Sequence, residues 1–113
     1  MSAELIAKLR AQLDGPRDGA LLRFSLGNAL LADGQAAAAA GEFERALAYD
    51  PGYSAAWKLL GKARLAANDE AGAAQAWRQG IETAQRKGDK QAEKEMAVFL
   101  KRLSRPQSGL QKG

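Results

Sequence analysis

The chain has 113 residues, 46% of them hydrophobic and 27% charged, a formal net charge of +4, and neither cysteine nor histidine. That is the length of a single domain with an ordinary soluble composition. The missing residue types exclude a disulfide framework, a thiolate zinc site and imidazole-based catalysis. No stretch approaches the roughly 20 apolar residues of a membrane span. Met1–Leu13 mixes apolar residues with Glu4, Lys8, Arg10 and Gln12 instead of presenting a signal-peptide core, so a cytoplasmic protein away from the membrane is expected. Charge is unevenly spread: residues 1–50 carry five basic and seven acidic side chains, and residues 51–113 carry twelve and six.

Six helices are predicted in chain order. The first spans about Ala3 to Leu13, with Leu5, Leu9 and Leu13 on one face, and Asp14-Gly15-Pro16 stops it. A pair follows, from about Gly19 to Ala32 and from Gln35 to Tyr49, turning at Asp33-Gly34. Asp50-Pro51-Gly52 separates it from a second pair, about Tyr53 to Ala67 and Glu70 to Arg86, which turns at Asn68-Asp69. Lys87-Gly88-Asp89 breaks the chain, and Asp89 is a suitable N-cap for a last helix ending near Leu103. In that helix Ala92, Met96, Phe99 and Leu103 recur at helical spacing, while Lys90, Lys94, Lys101 and Arg102 take other faces. Residues 105–113 are polar and turn-forming and are expected to be disordered; Met1 and this soft end favour a free-standing chain.

The two helix pairs repeat each other at a spacing of 34 residues. Leu26-Gly27 aligns with Leu60-Gly61, Ala39 with Ala73 and Phe43 with Trp77. Such a period marks stacked helical units, each burying one face on the next. A mid-helix glycine costs about 1 kcal/mol relative to alanine, so Gly27 and Gly61 are expected where helices touch. Phe43 and Trp77 would fill the space beside them, Trp57 and Trp77 would be largely buried, and the Ala36–Ala40 run with Gly41 would mark another close crossing.

This pattern resembles the tetratricopeptide repeat. The first copy carries Leu26, Gly27, Ala39, Phe43, Ala46 and Pro51, with Arg23 at the family's tryptophan and Leu30 at its tyrosine. The second carries Trp57, Leu60, Gly61 and Ala73, with Trp77 for phenylalanine, Gly80 for alanine, Arg64 at the tyrosine position and no closing proline. The resemblance implies an all-α antiparallel helix array, a fragment of a right-handed α-solenoid. Its expected parts are a leading half-repeat over 1–18, repeats over 19–52 and 53–87, a capping helix over 88–104 and the tail over 105–113.

In this family the first helices of the repeats line a concave groove that takes a peptide or a partner's helix. The corresponding positions here are Leu21, Phe24, Asn28 and Leu31, then Ala55, Lys58, Lys62 and Leu65. Lys58 and Lys62 share a helical face, so an acidic segment is the expected ligand, with Phe24 as an apolar anchor. The branch of the family that grips chaperone tails uses a clamp of which only Asn28 is matched; Phe24 and Leu59 replace two of its polar residues.

No nucleophile pairs with a base, and Glu42/Glu44 and Glu93/Glu95 each point in different directions, so a non-catalytic scaffold without cofactor or metal is expected. The alternatives are nucleic-acid binding through the basic residues from Arg78 to Arg105, which lack interleaved exposed aromatics, and weak self-association of array ends.

Overall fold

The 34-residue spacing returns as backbone geometry. In the computed structural model, which describes residues 2–104, Gly34 and Asn68 hold left-handed φ values of 82° and 67°. Each follows a helix whose final turn closes the same way. The Gln35 N–H donates to Leu30 O at 2.9 Å and the Gly34 N–H to Leu31 O at 3.0 Å; one repeat later, Asp69 donates to Arg64 O at 2.8 Å and Asn68 to Leu65 O at 2.9 Å. These six-to-one closures satisfy carbonyls that a helix end leaves unpaired, and they need a residue tolerant of positive φ. Gly88, at φ 73°, ends the next helix likewise, with Asp89 donating to Ala84 O at 2.9 Å.

All regular structure among the described residues is helical: α1 (Ser2–Arg10), α2 (Ala20–Ala32), α3 (Ala36–Tyr49), α4 (Ser54–Ala66), α5 (Glu70–Lys87) and α6 (Lys90–Ser104). The expected first helix is shorter than its apolar spacing suggests. After Arg10 the hydrogen bonds tighten to three-residue steps, Gln12 to Leu9 and Leu13 to Arg10. Asp14 then turns left-handed at φ 65°, its N–H held by Asp18 Oδ2 at 2.8 Å. Conversely, α5 runs to 18 residues where α3 has 14. Pro51 bars continuation beyond α3; its counterpart one period later is Gln85, which lies inside α5. Asp69 caps α5 by accepting from the Gly72 N–H at 2.9 Å, and the Asp89 carboxylate accepts from the Ala92 N–H at 3.1 Å, as its sequence position suggests.

Consecutive helices pack as neighbours, and α2 also touches α4, as α4 touches α6. The array therefore has two layers, α2, α4 and α6 side by side on one face, with α3 and α5 behind. Both repeat glycines sit at the crossings. A Cβ at Gly27 would fall 2.7 Å from the Phe43 ring, and one at Gly61 would overlap the Trp77 indole. Phe43 is fully buried, and Trp77, 2% exposed, donates its indole N–H to Lys58 O at 3.1 Å.

Gly80 makes room in the same way for α6. Its counterpart Ala46 belongs to the first core, whereas a Cβ at 80 would overlap the Met96 sulfur and crowd Trp57. Trp57 itself is partly buried, because it bridges the two cores with its indole N–H donating outward to Pro51 O at 2.9 Å. The alanine run is also only half interior. Ala39 and Ala40 are buried, but Ala37 and Ala38 face solvent, and nothing among the described residues lies within 4 Å of a Cβ placed on Gly41.

Arg23, at the aromatic position of the first repeat, is buried with its charge matched. Its Nε and Nη2 donate to the two Asp18 oxygens at 2.9 and 2.8 Å, and Nη1 donates to Glu42 at 3.0 Å. A guanidinium removed from water needs such a set of acceptors, and its planar fork fits a carboxylate edge on. These bonds, with the Asp14 N–H, hold the Asp18 carboxyl down at about 2. No described helix is long and apolar enough to cross a membrane.

Candidate functional site

The face formed by α2, α4 and α6 contains the groove positions read from the sequence, and α6 changes what they can do. Three side chains of α4 at helical spacing, Lys58, Lys62 and Leu65, stand against three of α6 at the same spacing, Glu95, Phe99 and Arg102. Lys58 Nζ donates to Glu95 Oε1 at 2.7 Å. Lys62 Nζ lies 4.9 Å from the centroid of the Phe99 ring, within cation–π range. Leu65 and Arg102 line one hollow together. Residue numbers rise together along the seam, so α4 and α6 run parallel.

The seam is closed by an ion pair at one end and borders a hollow at the other. Hydrogen bonds from Lys58, then from Gln91, hold the Glu95 carboxyl below the usual glutamate range. Lys58 is thereby engaged within the fold. The repulsion between Lys58 and Lys62, which pointed to an acidic ligand, is relieved at Lys58 by Glu95.

Beside Phe99 lies a hollow of about 240 Å³ lined by Lys62, Leu65, Trp77, Phe99, Arg102 and Leu103. Phe99 leans on Trp77 at 5.3 Å between centroids, which makes the floor aromatic. Lys62 and Arg102 supply charge at the lining, and no carboxylate among the described residues joins it.

At the other end of the face, Phe24 and Asn28 line a second hollow with Leu5, Leu9, Ser25, Ala29 and Ala32, about 510 Å³ between α1 and α2. Phe24 is only partly available. It stacks on Tyr53 at 4.8 Å and tilts against Phe43 at 5.8 Å, which makes it as much core as anchor. Burial, then the Asp50 charge, raises the Tyr53 phenol above its usual range. Leu31 is partly buried against the first core, while Leu21 is exposed beside Ser25 on the edge facing α1.

The structure thus brings Phe24 and Asn28 together at one end and Lys62 and Leu65 at the other, with Lys58 tied between them. Sequence reasoning missed Glu95, Phe99 and Arg102 as members of this face. Their shared spacing with Lys58, Lys62 and Leu65 was the available signal.

The comparisons agree with the helical-repeat fold. The family model described as a tetratricopeptide repeat matches residues 30–94. The TPR repeat-containing protein PA0015 of Pseudomonas aeruginosa is 56% identical over 101 residues, covering 89% of this chain and 96% of that protein. The solution structure of protein BPP2914 from Bordetella parapertussis superposes with a TM-score of 0.78 at 45% identity, covering 88% of this chain and 87% of that one. The chain belongs to the tetratricopeptide repeat family, a helical fold whose general role is protein–protein interaction.

Proposed function

We propose that the face of α2, α4 and α6 receives a short segment of another protein, held without covalent chemistry. The observation that carries this reading is where apolar surface stays uncovered. Of the large hydrophobic side chains exposed among the described residues, Leu21 on α2 (70%), Leu65 on α4 (39%) and Val98 on α6 (45%) give one to each helix of this layer. Leu5 borders the hollow containing Phe24 and Asn28, and Tyr49 alone lies elsewhere, at the end of α3. Exposed apolar groups gathered on one face mark an interaction surface, whereas scattered ones would need no explanation.

The test is co-purification from the source cell with tagged wild type, Leu21→Glu/Val98→Glu and Tyr49→Glu as a control. A partner captured by wild type and the control but lost from the double variant, with the melting temperature unchanged, is the expected result. Partners retained by the double variant would place the binding surface on another face.

A further inference from the structure

The α4–α6 seam has a defined chemistry at its open end, and from it we infer that the hollow around Lys62 and Arg102 takes an acidic segment of a partner protein. One apolar side chain of that segment enters the hollow, and a neighbouring carboxylate sits between the two cations. This rests on the reading of the α2–α4–α6 face above and assigns its chemistry.

Three observations converge on that occupant. The first is the incomplete pairing along the seam. At its closed end Lys58 meets a carboxylate at 2.7 Å; at the middle Lys62 stands over the face of Phe99; at the open end Arg102 lines the hollow with Leu65. Neither Lys62 nor Arg102 has a carboxylate within 4.0 Å among the described residues. One acid serves three cations, and the two left over both line the hollow. A ligand carboxylate there would repeat the Lys58–Glu95 contact further along the same seam.

The second is the lining. Leu65, Trp77, Phe99 and Leu103 form an apolar wall from three different helices. About 240 Å³ admits one aliphatic or aromatic side chain but not a folded element. The third is rigidity. Trp77 is fixed by its bond to Lys58 O, and Phe99 is clamped between Trp77 and Lys62, so the wall is formed before a ligand arrives. Guanidinium and ammonium groups flanking an apolar wall discriminate through charge-assisted hydrogen bonds to a carboxylate and through exclusion of water from the side chain beside it.

Two indole N–H signals are expected from this chain, and Trp57→Phe assigns the one from Trp77, which reports on the hollow. The experiment titrates 15N-labelled protein with three capped peptides: alternating Asp-Phe-Asp-Leu; its amide analogue Asn-Phe-Asn-Leu; and Asp-Ser-Asp-Ser, which keeps the charge without the apolar side chains. The first should shift the Trp77 indole signal at least about tenfold more tightly than either of the others. Lys62→Gln and Arg102→Gln should each weaken it by about tenfold, and binding should fade with added salt. Lys90→Gln, away from the hollow, should leave it unchanged.

Equal binding of the amide analogue, undiminished binding to the Lys62→Gln/Arg102→Gln double variant, or no shift with any peptide would overturn the inference. If that double variant also kept a co-purified partner that Leu21→Glu/Val98→Glu loses, the face would stand as a binding surface and this hollow alone would fall.

Discussion

Gly61→Ala is the sharpest test of the packing, because one methyl group must contend with a side chain that has nowhere to go. The added Cβ would overlap Nε1, Cε2 and Cδ1 of Trp77. Trp77 is 2% exposed, bonded to Lys58 O at 3.1 Å and backed by Phe99, so it cannot swing aside without breaking that bond or displacing α6. Overpacking of this kind costs about 1–3 kcal/mol. Losing the buried indole hydrogen bond adds about 1 kcal/mol, and replacing a mid-helix glycine by alanine returns about 1 kcal/mol.

The net is a loss of about 2 kcal/mol, which lowers Tm by roughly 8 °C in a domain of this size. Gly41→Ala provides the matched control. It is also within a helix, but nothing among the described residues lies within 4 Å of its Cβ, so only the favourable propensity term remains, and Tm should rise by a few degrees. Thermal melting followed by circular dichroism measures both. If Gly61→Ala stabilised the protein as Gly41→Ala does, the close crossing of α4 and α5 would be wrong.

Three further outcomes follow from particular contacts. Asp18 is held at about 2, below its ordinary 3.8, by Arg23 and then by the Asp14 N–H. Its contribution is therefore complete above about pH 4 and is lost as pH falls towards 2, so Tm should drop across that window. Asp18→Asn should be less stable at neutral pH with a shallower acid slope, and an unaltered slope would remove Asp18 as its source. Ser54 buries a hydroxyl with no partner among the described residues, so Ser54→Ala should stabilise by about 1 kcal/mol in urea unfolding; a loss of stability would show that the hydroxyl is satisfied. Deleting residues 88–113 removes Met96, Phe99 and Leu103 from Trp77 and Ile81, and the exposed flank should drive self-association visible by light scattering. A monomer of unchanged Tm would mean that α6 is not part of the fold's core.

What the sequence made legible was whatever the 34-residue period carries. Gly27 and Gly61, Phe43 and Trp77, and the turns at Gly34 and Asn68 each recur because equivalent backbone crossings and closures demand equivalent residues. What it hid lies where the period breaks. Gln85 in place of a proline lets α5 run on, Gly80 in place of an alanine admits Met96, and α6 settles beside α4 as a first helix of a further repeat would, without that repeat's sequence signature. Arg23 was hidden for a related reason. Its partners Asp18 and Glu42 come from the preceding turn and from α3, so no helical spacing relates them.

The candidate site follows the same division. Leu21, Phe24, Asn28, Leu31, Lys58, Lys62 and Leu65 are positions a repeat register can supply, but which of them are free depends on the partner helix opposite, and register says nothing about that. Glu95 neutralises one lysine, Phe99 faces the next, and Arg102 adds a cation that the repeats themselves lack. A capping helix has to match the apolar flank of the last repeat, and only its buried stripe is constrained to do so. Of the α6 seam residues Phe99 belongs to that stripe, whereas Glu95 and Arg102 are under no such packing demand. These two residues decide which cations of the face are neutralised within the fold and which are left without a carboxylate among the described residues.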